Sequence, residues 1–192
     1  MMLALLSLGT AAAAAPLRIT IVTFGPAPPA VLAFLQEGLA RELGAEVVQS
    51  GEISVPAGAY GPQRRQYLAE TFLPLLAPCR QASRELVLGV TEVDLYVPAL
   101  NFVFGLADSR LKCAVISLAR LDPEFYGIKN APQLLKERSL KEAIHELGHL
   151  LGLGHCGSPA CIMSFSNSLM DTDRKGPGFC GSCRQRLAGA VR

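Results

Sequence analysis

Residues 139–156, SLKEAIHELGHLLGLGHC, constrain the 192-residue chain more than any other segment. They hold all three histidines of the sequence, His145, His149 and His155. Ser139 followed by Glu142 reads as a capping box, which predicts a helix starting at Leu140. On that helix, at about 100° per residue, His145 and His149 lie about 40° apart. Leu140, Ala143, Ile144, Leu147, Leu150 and Leu151 spread over the opposite side. One face is therefore built for a core and the other for a cleft. Gly152 falls where such a helix stops, and its freedom to turn left-handed lets His155 return toward the pair.

Three neutral imidazoles from one helix and its following turn form a tripod for zinc, with the fourth position left to water. Zinc lowers the pKa of such a water to about 7. Glu146 follows the first ligand by one residue, so it projects beside the metal and not onto it. There it takes a proton from water and passes it to a leaving amine. These are the parts of metal-assisted peptide hydrolysis. At the chain's own residue frequencies, HExxH arises by chance in about one such chain in 400. The fixed glycine and third histidine reduce that by about a further 700-fold. A lone histidine reads as a hydrogen-bonded core residue; the set of three does not.

Composition narrows the class further. Half of the residues are apolar, 18% are charged and the net charge is +2, which excludes a disordered chain. With 18 basic against 16 acidic residues there is no electrostatic footprint for nucleic acid. The length suits a single domain over residues 17–192, divided into an N-terminal part (17–154) and a smaller C-terminal part (155–192). Residues 1–16 are an uncharged apolar leader with five alanines at 11–15. They fit a signal segment or an inconsequential extension, and they are short for a stable membrane span. The compartment is accordingly either cytoplasmic or, if the leader exports the chain, extracytoplasmic.

Strands are expected at 17–24, 46–55 (broken by Gly51), 86–93, 101–107 and 113–118, and helices at 31–43 and 62–77. The 62–77 pattern places Tyr67, Leu68, Phe72, Leu75 and Leu76 on one side. Alternating strands and helices predict an α/β fold with a largely parallel sheet. Arg64-Arg65, Arg174-Lys175 and Arg184/Arg186 read as solvated basic pairs. Asp171 and Asp173 are too few for a calcium loop, and nothing ranks Tyr126 above a packing role.

Six cysteines are too few for a disulfide scaffold. Cys79 and Cys113 sit in apolar surroundings, as small buried side chains do. Cys156, Cys161, Cys180 and Cys183 form CxxxxC followed by CxxC, the spacing of a closed four-thiolate zinc site. Such a site would clamp the segment after His155 to a helix beginning near Cys183. Two disulfides satisfy the same spacing if the chain is exported.

HExxHxxGxxH is the metzincin signature. Together with CIM, the downstream CGSC, and the stretches DLYVPALNFVFGLA, RLDPEFYG and SFSNSLMDTDRK, the chain resembles the archaemetzincins from about residue 17 onward. That resemblance implies a metzincin-like fold: a twisted, mostly parallel sheet with packed helices, an active-site helix and a zinc-clamped C-terminal subdomain. It implies two zinc ions, a catalytic one on His145, His149 and His155 and a structural one on the four cysteines. Glu146 would be the general base and Met163 the methionine of a turn beneath the metal. Strand 101–107 would be the edge that pairs with an extended peptide. The implied activity is zinc-dependent peptide hydrolysis, aminopeptidase-like, by a monomer whose partner is a peptide or protein substrate. A rival reading is a metal-loaded peptide-binding or structural module that hydrolyses little. Such a module has no use for Glu146.

Overall fold

The computed structural model describes residues 16–190. The leader assignment falls on residues outside that range. A five-stranded sheet runs in the order β2-β1-β5-β8-β7. Strands β1 (Arg18–Phe24), β2 (Glu46–Ile53), β5 (Glu85–Thr91) and β8 (Cys113–Ser117) are parallel, and β7 (Gly105–Asp108) closes one edge antiparallel to β8. Every residue of β5 and β8 is buried. Strands covered on both faces need apolar side chains in both phases of the alternation, which is why their sequences read as unbroken runs.

Helix α1 (Pro29–Leu43) and helix α3 (Pro132–Leu150) cover one face of the sheet. Ile19, Ile21, Leu88 and Ile116 point to them, meeting Leu35, Leu39, Ile144 and Leu147. The two helices meet closely at Gly38, where an added Cβ would lie 2.5 Å from a Leu140 methyl. The other face buries Val22, Phe24, Val87 and Val115 against Phe72 and Leu76. Gly44 ends α1 at φ 61°, as expected of a glycine stop. Gly51 does not break β2. It sits at φ 60° inside a bulge, where the partners of Ile21 and Thr23 are Gln49 and Glu52.

The predicted helix at 62–77 is not one element. A second sheet pairs β3 (Tyr60–Gly61) with β4 (Gln66–Leu68), and β4 in turn with β6 (Leu95–Tyr96). A 3-10 turn at Ala69–Thr71 then leads to the four-residue α2 (Leu73–Leu76), with Pro74 in its first turn. Phe72 and Leu76 reach the core as the apolar pattern requires. What the pattern could not reveal is that Tyr67 has strand partners, Tyr60 and Leu95, distant in sequence. Strand 101–107 is likewise shorter than expected. Only Gly105–Asp108 pairs with β8, and residues 97–104 form an irregular wall touching β6 through a Leu95–Val103 bridge. Among the described residues, no helix is long and apolar enough to cross a membrane.

Candidate metal centre and active-site cleft

Helix α3 begins eight residues before the predicted start, at Pro132, a residue suited to the first helical position. Ser139 therefore lies inside the helix, and its buried hydroxyl donates to the Leu135 carbonyl at 2.7 Å. This is the back-bonding that mid-helix serine uses when it does not cap. The capping box exists elsewhere, at Ser168 and Asp171 of helix α4 (Leu169–Arg174). Without a capping role, Glu142 faces inward, on the same helix side as His145, Glu146 and His149, and all four line one cleft of about 360 Å³.

At the C-terminal end of α3, Gly152 (φ 88°) gives its N–H to the His149 carbonyl, and Leu153 gives its N–H to that of Gly148. This paired arrangement reverses the chain and returns His155 to the cleft. The Nδ1 atoms of His145 and His149 each lie 2.8 Å from a backbone carbonyl, those of Ile162 and Leu153. A carbonyl only accepts, so each Nδ1 carries the proton and each Nε2 keeps a bare lone pair. The two Nε2 atoms are 3.1 Å apart, and one ring nitrogen from each histidine falls within 4.8 Å of the other two. Zn–N bonds of 2.0–2.1 Å place neighbouring ligand nitrogens of a tetrahedron about 3.3 Å apart, so the three residues fit that ion. Burial, followed by the charge of Lys175, pushes His145 down to about 3. Burial also lowers His149 and His155. The rings are thus neutral at pH 7, the form that binds metal.

Met163 is fully buried. Its thioether packs so closely over Gly148 that a Cβ there would collide with it, which explains the glycine between the two helical histidines. The Met163 carbonyl accepts from the Cys156 N–H at 2.8 Å, tying this turn to the residue after His155.

The four C-terminal cysteines converge as the spacing implies. The Sγ atoms of Cys156 and Cys180 are 3.8 Å apart, and those of Cys161 and Cys183 are also 3.8 Å apart. A disulfide is about 2.05 Å long, whereas Zn–S bonds of about 2.3 Å give tetrahedral edges of about 3.8 Å. The donor set therefore fits a closed zinc site. Cys180 sits at the start of helix α5 (Gly181–Ala190), and a hydrogen bond from the Ser182 side chain, with others, holds its thiol down to about 6. Cys113 is buried in β8, and that burial pushes its thiol up to about 11. Cys79 is half-buried against the same cluster.

Residues 40–189 match the sequence profile of peptidase family M54. The chain belongs to that family. An archaemetzincin from Pyrococcus furiosus is 48% identical over 175 residues, which cover 88% of this chain and 91% of the relative. The crystal structure of archaemetzincin from Methanopyrus kandleri matches with a TM-score of 0.79 at 39% identity, over 92% of this chain and 96% of that one. A zinc-dependent peptidase from Methanocorpusculum labreanum matches with a TM-score of 0.80 at 33% identity, over 88% and 99% respectively. The chain is accordingly a zinc metallopeptidase of the archaemetzincin kind, and its α/β fold is theirs.

Sequence reasoning missed three residues of this archaemetzincin's cleft. Lys175 is not a solvated cation. It is 3% exposed, with Nζ 3.4 Å from the His145 Nδ1 and within electrostatic reach of Glu142 and Glu146. Glu142 is buried beside Glu146, and burial raises both carboxyl pKa values, Glu146 the more strongly because Glu142 adds its own charge. The third is Gly105, in β7. A Cβ there would lie 2.6 Å from the Glu146 Cγ, so the strand backbone presses directly on the carboxylate side chain. A lone glycine inside a strand pattern is a readable sign of such an approach. Nothing in a basic pair signals that one member is buried.

The remaining acidic, basic and aromatic residues of this region have structural roles. Asp171 caps α4, while Asp173 accepts two 2.8 Å hydrogen bonds from the buried Arg138. Tyr126 is exposed and donates to the Arg120 carbonyl, away from the cleft. Arg184 pairs with Glu42 at 2.9 Å.

Proposed function

We propose that His145, His149 and His155 hold the zinc of this peptidase and that Glu146 is its general base. The observation that carries this reading is the meeting of three imidazoles, two of them held by backbone carbonyls with Nε2 free of a proton, in a cleft that also buries Glu146. Zinc bound there supplies a Lewis acid that polarises a peptide carbonyl and acidifies a water. The Ile162 and Leu153 carbonyls orient the two helical imidazoles, a role that usually strengthens a histidine as a ligand. Glu146 takes the proton of the attacking water and returns it to the departing nitrogen. Burial first, and the charge of Glu142 next, raise the pKa of Glu146 above the ordinary carboxylate range, which favours its keeping the proton between the two transfers. The exposed edge of β7 and the wall at 97–104 line the same cleft and offer an extended peptide a strand to pair with.

The four cysteines would hold a second, structural zinc that fixes His155 through the adjacent Cys156. Cleavage from the amino terminus is the finer reading. Glu142, whose carboxyl lines the cleft beside Glu146, offers an acceptor to a substrate's free amine. A binding module without hydrolysis is disfavoured by the presence of Glu146 at the centre of the cleft.

Metal analysis of the purified chain is expected to return two zinc ions, one removed by chelator with loss of peptidase activity and restored with it. One ion or none removes the two-site arrangement. Digestion of a mixed peptide library, with and without N-terminal acetylation, is expected to show chelator-sensitive cleavage that acetylation suppresses. Equal cleavage of both libraries rejects the aminopeptidase reading.

Gly105→Ala is a test of the Glu146 assignment from the opposite side of the cleft. The added methyl displaces the carboxylate, so kcat is expected to fall by about tenfold or more while zinc content is unchanged. Unaltered kcat in that variant would mean that the position of Glu146 does not matter to the reaction.

A further inference from the structure

The cleft wall at 97–104 has no regular secondary structure, yet it must present Leu100, Phe102 and Phe104 to a substrate in defined positions. Its carbonyls are not left to solvent. One Arg64 nitrogen donates to the Leu100 carbonyl at 2.7 Å and to the Asn101 carbonyl at 3.0 Å. The Arg64 Nε donates to the Gln66 side-chain oxygen at 3.1 Å, and its guanidinium lies 4.4 Å from the centre of the Tyr96 ring. Gln66 is 5% exposed and uses its amide nitrogen twice, to the Asn101 carbonyl and to Asp94, both at 3.0 Å. Asp94 in turn accepts two 2.8 Å hydrogen bonds from Arg120, whose guanidinium lies 4.5 Å from the centre of the Phe102 ring.

We infer that Arg64 and Gln66, on the β3–β4 hairpin, are positioning residues for substrate: they grip the Leu100 and Asn101 carbonyls and so hold the apolar wall of the cleft in its binding position. Neither residue touches the histidines or Glu146, and neither lines the cleft. Their effect passes through the wall. A side chain that fixes a segment with few backbone partners of its own prepays the entropy that the segment would lose when a peptide docks on it. The second sheet therefore serves substrate affinity, which gives a reason for the strand pairing that displaces the expected helix. The Asp94–Arg120 pair extends the same grip to Phe102, and its partly buried, two-bond geometry makes it the firm end of the chain of contacts.

The inference rests on the cleft being the substrate site, and the experiment separates the two. Steady-state kinetics on one good library substrate would compare wild type with Arg64→Ala, Arg64→Lys and Arg65→Gln, alongside hydrogen exchange of the backbone amides at 97–104. Arg64→Ala is expected to raise KM by about tenfold with kcat within about twofold, the pattern of lost uniform binding, and to speed exchange in the wall. Arg64→Lys keeps one donor but not the planar fork, so it recovers part of the loss. Arg65→Gln, a change at an exposed neighbour, leaves both constants unaltered. Gln66→Leu removes the buried hub and is expected to exceed Arg64→Ala in both readouts. An Arg64→Ala enzyme with unchanged KM and unchanged exchange overturns the inference. So does a fall in kcat with KM constant, since the wall would then act on the chemistry. Faster exchange in the wall with unchanged KM would instead place substrate outside the cleft and overturn the cleft assignment.

Discussion

Glu146→Gln is expected to lower kcat by about 10²- to 10⁴-fold, the range that removal of a positioned general base produces. Glutamine has the same shape, so the close packing against Gly105 survives. It cannot take a proton, so the chemistry does not. Zinc content should stay the same, because Glu146 is placed beside the three imidazoles and not among them. Stability should hold or rise. The native carboxyl is buried next to Glu142, and burial and that neighbouring charge both oppose its ionisation. A neutral amide escapes both penalties. Activity, zinc analysis and a melting curve on one preparation check all three statements. A fully active Glu146→Gln enzyme with its zinc in place rejects the proton-transfer role, and an inactive enzyme that has lost zinc shows that Glu146 acts on the metal site instead.

Cys161→Ala is expected to produce the largest loss of stability. Cys161 is 1% exposed, lies 3.8 Å from the Cys183 sulfur and accepts the Cys180 N–H at 3.3 Å. Removing it takes away one of four thiolates and, with it, the ion that would tie residues 156–161 to α5. Binding energy of a structural zinc is folding energy, so a loss on the order of 3–5 kcal/mol is expected. For a chain of this size that corresponds to a fall of about 10 °C in melting temperature. The bound zinc count should fall by one. The catalytic site should also bind zinc more weakly, since Cys156 follows His155 directly and its N–H is held by the Met163 carbonyl. Calorimetry with zinc analysis tests the clamp: an unchanged melting temperature and an unchanged zinc count would show that the four sulfurs do not share an ion.

The two halves of the site differ in how much of them could be read from residue order. The helical histidines and the glycine at Gly152 follow local rules, and the cysteine spacing is read from two short motifs. The first two depend on a few neighbouring residues and the geometry of one turn, whereas the two cysteine pairs, more than twenty residues apart, meet only through the packing of the C-terminal segment. The helix start differs from the capping-box position for a local reason too. Ser139 and Glu142 satisfy the capping spacing, but Pro132 offers an earlier start and Ser139 finds the Leu135 carbonyl instead. Glu142 was thereby released into the cleft. The helix expected at 62–77 failed for a different reason. Its apolar residues are spaced for either element, and β6 at residues 95–96, nearly thirty positions later, tips the balance to a strand.

By itself, the order of residues determined the chemistry available to this protein: which atoms can bind zinc, which carboxyl stands beside them, and which runs are apolar enough for a buried parallel sheet. These follow from side-chain type and helical or strand period, which act over short distances along the chain. Only the tertiary structure decided who stands around that chemistry. Lys175 comes to the His145 ring from thirty residues away, Gly105 brings a strand against Glu146, and Arg64 reaches the wall thirty-six residues on. Such contacts depend on how separate elements pack in space, and a single linear pattern carries no record of that until the core closes.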